Sequence, residues 1–325
     1  MLFSRFRSAF LRVLCVLCVA AFAQTVAAAD YPQRPIRILV PFTPGGSTDI
    51  LARMLGQKLT DAWGYQAIVD NRAGANGVVA AELTARANPD GHTLMMVAIG
   101  HAINASLQKK LPYDTERAFA PVSLTAVLPL LVAVHPSSKA TSMKELVAQA
   151  KTRTISYASG GIGSSQHLAG ELINYMGKVK MNHVPYKGGN QGTLDLVAGH
   201  VEMMASTILT VAPHAKAGKL RALAITTSKR STAWPEIPTV SEAGLKGYES
   251  VAWYGLVAPA GLPAPVMEKL SGEIVKATKS PDMQATLVKQ GADPVGSTPK
   301  EFSAFIKAEM TKYSKVIREA GIKPE

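Results

Sequence analysis

From Pro35 onward the chain alternates short, nearly continuous apolar runs with longer stretches whose apolar residues recur every three or four positions. The run from Pro35 to Phe42 reads as a strand, and Thr48 to Trp63 as a helix with Ile50, Leu51, Met54, Leu55 and Leu59 on one face. Ala67–Asp70 is strand again, Gly77–Ala87 helix, and Thr93–Ala98 strand. Strands this short and apolar are typical of buried parallel sheets. The helices between them supply the crossovers that parallel pairing requires.

A second cycle starts near Pro121. Val122 to Val134 is an apolar stretch too long for one ordinary strand and interrupted by Pro129, which predicts a crossing between two lobes. Helices at Ser142–Ala150, Ser164–Met176 and Gly192–Ala198 then alternate with strands at Ile155–Ala158, His183–Tyr186 and Val201–Ala205. A short helix to Gly218 and a strand over Leu220–Thr226 close this set. Residues 227–247, rich in Ser, Pro and Gly, suit a connection, and Val251–Val257 reads as a returning strand. Three helices follow, Pro265–Lys279, Pro281–Gln290 and Pro299–Ala320, each opened by a Pro where a missing N–H costs least. A helical tail this long needs a surface to cover, and the first lobe is the natural one. The pattern predicts an α/β protein of two lobes, each a mainly parallel sheet flanked by helices. Residues 30–129 and 251–325 form lobe 1, and 130–250 form lobe 2.

The first 29 residues follow another pattern. Arg5, Arg7 and Arg12 precede an apolar run from Val13 to Phe22, and Ala27-Ala28-Ala29 closes the segment, as in a secretory signal peptide. Gln24 and Thr25 interrupt the run before it reaches the roughly 20 apolar residues of a membrane span. The expected mature protein begins at Asp30 and is soluble and periplasmic. Both cysteines, Cys15 and Cys18, fall inside the removed segment, which leaves neither a disulfide nor thiol chemistry. Removal leaves 296 of 325 residues, and with three Arg and no acid gone the formal charge falls from +12 to +9. Lys and Arg are dispersed rather than blocked together with aromatics, which argues against nucleic acid. A positive field suits small anions.

Candidate chemistry sits where strands turn into helices. Pro41-Phe42-Thr43-Pro44-Gly45-Gly46-Ser47-Thr48-Asp49 ends a strand, turns on two glycines and opens a helix. The first turn of a helix offers unpaired N–H groups and a partial positive charge, so it holds anions. A plain capped turn fits the same residues. A second junction of this kind runs from Tyr157 through Ser159, Gly160, Gly163, Ser164 and Ser165 to His167. One such junction per lobe would make a clamp for an anion. Asp49 suits the helix dipole better than an anionic ligand, although its own N–H could donate. Gly161-Ile162-Gly163 resembles a dinucleotide fingerprint, but Gln166 stands where the third Gly belongs. No His, Cys or acid spacing suggests a metal, and no cofactor motif is present. His101 and His167 are candidate hydrogen-bond partners in a cleft, with a purely structural role equally open.

These motifs resemble the periplasmic receptors of tripartite tricarboxylate transporters, the Bug-type solute-binding proteins. The resemblance runs over residues 31–321, through V-P-F-x-P-G-G-S-T-D at 40–49, N-R-x-G-A-x-G at 71–77, H-A-I-N at 101–104, Y-A-S-G-x-x-G at 157–163 and H-V-P-Y-K-G at 183–188. It implies a two-lobe periplasmic binding protein type II fold with a small carboxylate held at the lobe interface for a membrane permease. Carried over, the ligand loops are Gly45–Asp49 and Ser159–Ser165, with Phe42, His101, His167 and Tyr186 lining the cleft. Where many such receptors have Phe-Asp-Asn, this chain has Ala205-Ser206-Thr207. Ser206 replaces the acid that can meet a ligand amine, which favours a dicarboxylate or an aromatic carboxylate over an amino acid. The expected protein is a monomer without cofactor or catalysis. Two rivals stay open, a ligand-presenting sensor and a hydrolase built on Ser164 and His167.

Overall fold

The computed structural model describes residues 31–108 and 110–319; the expected signal peptide lies outside the described residues. In chain order the first lobe opens with β1 (Ile36–Val40), α1 (Ser47–Trp63), β2 (Ala67–Asn71), a 3₁₀ turn (Ala75–Gly77), α2 (Val78–Ala85), β3 (Thr93–Ala98) and α3 (Ile99–Leu107). The long strand β4 (Phe119–Val134) leads into the second lobe. There α4 (Met143–Thr152), β5 (Ser156–Ser159), α5 (Ser165–Gly177), β6 (Asn182–Pro185), α6 (Gly189–Val197), β7 (Met203–Thr207), α7 (Ile208–Lys216) and β8 (Arg221–Ile225) follow. The chain returns through β9 (Val251–Pro259) and ends in α8 (Ala264–Thr278), α9 (Pro281–Lys289), β10 (Asp293–Pro294) and α10 (Pro299–Glu319).

The apolar stretch around Pro129 is one continuous strand, and it is the crossing. As far as Pro129, β4 pairs antiparallel with β9; from Leu130 on it pairs with β7 on one side and β8 on the other. Pro129, which donates no ladder bond, falls where the strand changes partners. Thr226 joins the outward and return paths: its N–H donates to the Leu130 carbonyl at 3.0 Å, and its own carbonyl accepts from Ser250 N–H at 2.9 Å. Leu130 N–H in turn donates to Thr226 Oγ1 at 2.9 Å. Parallel pairing holds for β2–β1–β3 and for β6–β5–β7. The strands at the crossing run antiparallel to their neighbours, because a chain that leaves one sheet and returns to it must reverse direction.

Side-chain alternation along β1 sets the layers. Ile36, Ile38 and Val40 pack with Leu51, Leu55 and Leu59 of α1, the apolar face read from the sequence. Leu39, with Met95 and Val97 of β3, faces the other way, toward Ala80 and Ala81 of α2 and Ile103 of α3. The helical tail covers the first lobe on this second face, with Phe302, Ile306, Tyr313 and Ile317 in the same cluster. Gly255 is required there, since a Cβ would stand 2.3 Å from the Phe302 ring. Trp253 is fully buried beneath α10 and donates its Nε1–H to Glu309 at 2.8 Å, which fixes the tail to the lobe.

Candidate ligand-binding cleft

β1, β3, β5, β6 and β7 are each followed by a helix, and the starts of those helices meet at one place. The first turns of α1, α3, α5, α6 and α7 contribute Gly46, Ser47, Thr48, Ala98, Ile99, Ser164, Ser165, Gln166, Gly189 and Thr210 to the wall of one cavity. Phe42, Gly160 and Tyr254 complete the wall, and none of its side chains is charged. Four of the five helices start without a side-chain cap, at Gly46, Ala98, Gly188 and Thr207; only Ser164 caps its own helix. The first turns of those four helices thus lack a side-chain cap, with about half a positive charge at each helix end. Ligands of open α/β sheets sit at such strand ends.

The cavity floor is made of hydroxyls from both lobes. Ser47 Oγ lies 2.6 Å from Thr207 Oγ1 and 3.2 Å from Thr210 Oγ1, and those two threonines are 3.1 Å apart. Above them the loops of the two lobes touch. Thr43 N–H donates to the Lys187 carbonyl at 3.3 Å, and Asn190 Nδ2 donates to the Pro44 carbonyl at 3.3 Å. A Cβ on Gly163 of the second lobe would stand 2.6 Å from Leu107 and 2.7 Å from Asn76 of the first.

Seven of the residues expected from sequence line this cavity: Phe42, Gly46, Ser47, Thr48, Gly160, Ser164 and Ser165. Others brace the loops from behind. Gly45 N–H donates to Asp49 Oδ2 at 3.0 Å, and that carboxylate also accepts from Arg53 and from Asn71 Nδ2. Burial alone would raise the Asp49 pKa, but these bonds outweigh it and hold the carboxyl below its usual range. Gly45 and Asp49 thus brace the first loop, in line with Asp49 as a helix-end residue. Ser159 is fully buried, accepts from Gly161 N–H at 3.0 Å and bonds His183 Nε2 at 2.6 Å. His167 Nδ1 accepts from Gly163 N–H at 3.1 Å, and its ring lies 4.2 Å from His183. Burial pushes the pKa of both imidazoles down to about 4, so both are neutral at pH 7.

His101 lines a neighbouring cavity with Asn104 and Tyr113 and is edge-on to Phe119, with Nδ1 unpartnered and its pKa pushed by burial to about 4. Tyr186 lines the outer mouth, its hydroxyl donating to Asp195 at 2.6 Å. Ser206 is fully buried inside the second lobe and pairs with Thr193 Oγ1 at 3.1 Å, while the next residue, Thr207, bonds Ser47 of the cavity wall. Strand alternation sends these two neighbours to opposite faces. The hydrolase pair finds no geometry either, since Ser164 Oγ accepts from the backbone N–H of His167 and the imidazole faces elsewhere. Sequence reading missed Ala98, Ile99, Gln166, Gly189, Thr210 and Tyr254. Gly188-Gly189 directly after a strand was the available signal.

Two α/β lobes joined by crossing strands, with helix N-termini converging between them, define a solute-binding protein. The sequence pattern of the tripartite tricarboxylate transporter family receptor matches residues 51–322, and the chain belongs to that family, whose members are receptors rather than enzymes. Protein BugT of Bordetella pertussis is 36% identical over 311 residues, covering 94% of this chain and 95% of its own. Rpa4515 of Rhodopseudomonas palustris, solved with adipate, superposes with a TM-score of 0.89 at 34% identity, over 91% of this chain and all of its own. MatC of the same organism, solved with malate, gives 0.84 at 31% identity, over 88% of this chain and all of its own.

Proposed function

We propose that this protein is a periplasmic receptor that captures a small carboxylate between its lobes and passes it to a membrane permease of the tripartite tricarboxylate type. The observation that carries this reading is the cavity whose wall holds five helix N-termini and no charged side chain. Such a wall stabilises one negative charge through N–H groups and hydroxyls that need no counter-ion. The likeness to proteins solved with adipate and malate supports a carboxylate as the class. The wall offers no acid to a ligand amine, which favours plain carboxylates over amino acids.

Residues 30–129 with 251–325, and 130–250, are the units that move in this reading, after removal of 1–29 and as a monomer. Each lobe supplies only part of the N–H set, so the ligand completes the site by drawing the lobes together, and closure couples to binding. A thermal-shift screen of mono-, di- and tricarboxylates beside the amino acids tests the proposal. A carboxylate at 100 times its Kd raises stability by about 2.7 kcal/mol. Amino acids as the tightest ligands, or no response to any carboxylate, would overturn it.

A further inference from the structure

Phe42 and Gly160 each belong to the walls of two adjoining cavities. The inner one, framed by the helix N-termini, has a free volume of about 30 Å³. That is room for roughly two water-sized groups, which matches the two oxygens of a single carboxylate. The outer one is larger, about 220 Å³, and is walled by Pro41, Phe42, Ile162, Pro185, Tyr186 and Lys187 among others. A ligand anchored by one carboxylate inside must therefore place the rest of its body in the outer cavity. The outer wall is mostly apolar and aromatic, and Lys187 is its one charged side chain.

Lys187 is held in place by its main chain, whose carbonyl accepts from Thr43 N–H across the cleft at 3.3 Å. Its side chain is exposed at the mouth, and among the described residues the ammonium has no salt-bridge partner. The geometry points to Lys187 as a specificity residue that meets the second carboxylate of an elongated dicarboxylate, whose apolar spacer lies against Phe42, Ile162 and Tyr186. This inference rests on the carboxylate reading of the inner cavity and deepens it. A monocarboxylate of the same length fills the same space but leaves the cation unmatched. An amino acid would bring a second positive charge toward a wall that holds no acid to receive it.

The test pairs ligand charge with residue charge. Adipate against hexanoate, and terephthalate against benzoate, are titrated calorimetrically at low ionic strength into the wild-type protein and into Lys187→Gln, Lys187→Glu and Lys187→Arg. The wild type should prefer the dicarboxylate of at least one pair, by about fivefold for a solvent-screened cation. Lys187→Gln should lose that preference while keeping its affinity for the monocarboxylate, Lys187→Glu should reverse it, and Lys187→Arg should restore it. An equal dicarboxylate preference in wild type and Lys187→Gln, or equal weakening of both partners of a pair, overturns the role of Lys187 and leaves the inner site standing. Failure of all four ligands to bind the wild type overturns the carboxylate reading itself, and this inference with it.

Discussion

The loop after β1 and the loop after β5 present the same object to the cavity, the first turn of a helix, yet they are braced by opposite chemistry. In the first lobe the brace is ionic: the buried Asp49 carboxylate ties Gly45 N–H, Arg53 and Asn71 into one unit. In the second it is neutral: Ser159, Ser164 and the imidazole of His167 accept from Gly161, His167 and Gly163 N–H. A fixed negative charge is tolerable in the first lobe because Arg53 neutralises it on the side away from the cavity. The second loop has no such cation among its braces, so uncharged acceptors do the same work. The two halves of the clamp should therefore fail under different conditions.

The largest effect is expected where the first loop has space and the second has none. A Cβ at Gly46 would approach nothing closer than the Thr43 carbonyl at 3.9 Å, whereas one at Gly160 would stand 3.0 Å from Gly189 N. Gly46→Asp should therefore fold normally, since Asp is a favoured N-cap. Its charge would occupy the anion cavity and weaken carboxylate binding by about 100-fold, roughly 3 kcal/mol. Calorimetry and melting curves on the same sample check both halves. Unchanged affinity in a stably folded variant would remove the first loop from the site.

Next in size is the ionic brace itself. Asp49→Ala leaves Gly45 N–H without its acceptor and Arg53 without its partner, at a cost of about 2 kcal/mol because Arg53 is half exposed. Chemical denaturation measures this directly. The carboxyl is held below its usual range, so the stability it confers is complete above the unfolded pKa and is lost as pH falls through the depressed folded value.

The neutral brace should respond at higher pH. His167 and His183 have folded pKa values of about 4 against an ordinary 6.5, mainly through burial, with the charges of His167 and Glu171 acting on His183 in opposite senses. Between those limits the unfolded chain binds protons that the folded chain refuses. Stability therefore falls as pH drops from about 6.5 to about 4, and this contribution levels off below that. A fall of about 5 °C in Tm across the window is expected. The double substitution His167→Asn with His183→Gln should flatten most of it, leaving the share of His101, which is buried in the first lobe with a similar pKa. An unaltered Tm profile in the double variant would break the contrast between the two braces.

Much of the fold was legible because its helices carry caps or apolar faces that read at a spacing of 3.6. Helix α1 was placed within one residue of its start, and the crossing at Pro129 was located by the length of its apolar run. Helix α3 was missed although Ile99, Ala102, Ile103 and Leu107 have the right spacing, because Ala98 offers no capping side chain as a start signal. That absence is itself informative, since an uncapped first turn at a cavity has its N–H groups free for a ligand. The site was half legible for the same reason: Ser- and Gly-rich junctions stand out, while Ala98–Ile99 and Gly189 contribute main chain that any residue could supply. Tyr254 reaches the cavity from β9, more than 200 positions from Phe42, and proximity of that kind is set by the crossing strands rather than by any local pattern.

The smallest effect separates two adjacent hydroxyls on β7. Ser206 points into the second lobe, where its partner is Thr193, while Thr207 points the other way and bonds Ser47 of the first lobe. Ser206→Ala removes one buried hydrogen bond and should cost about 1 kcal/mol of stability, with carboxylate affinity within about twofold of wild type. Thr207→Val keeps the shape and removes this one bond between the lobes, leaving Ser47 its longer contact with Thr210. Affinity should then fall by about threefold, a fraction of one hydrogen bond, because Ser47 retains a partner. If calorimetry ranked the two variants the other way, ligand contact would pass through the interior of the second lobe, and the floor shared between the lobes would lose its part in closure.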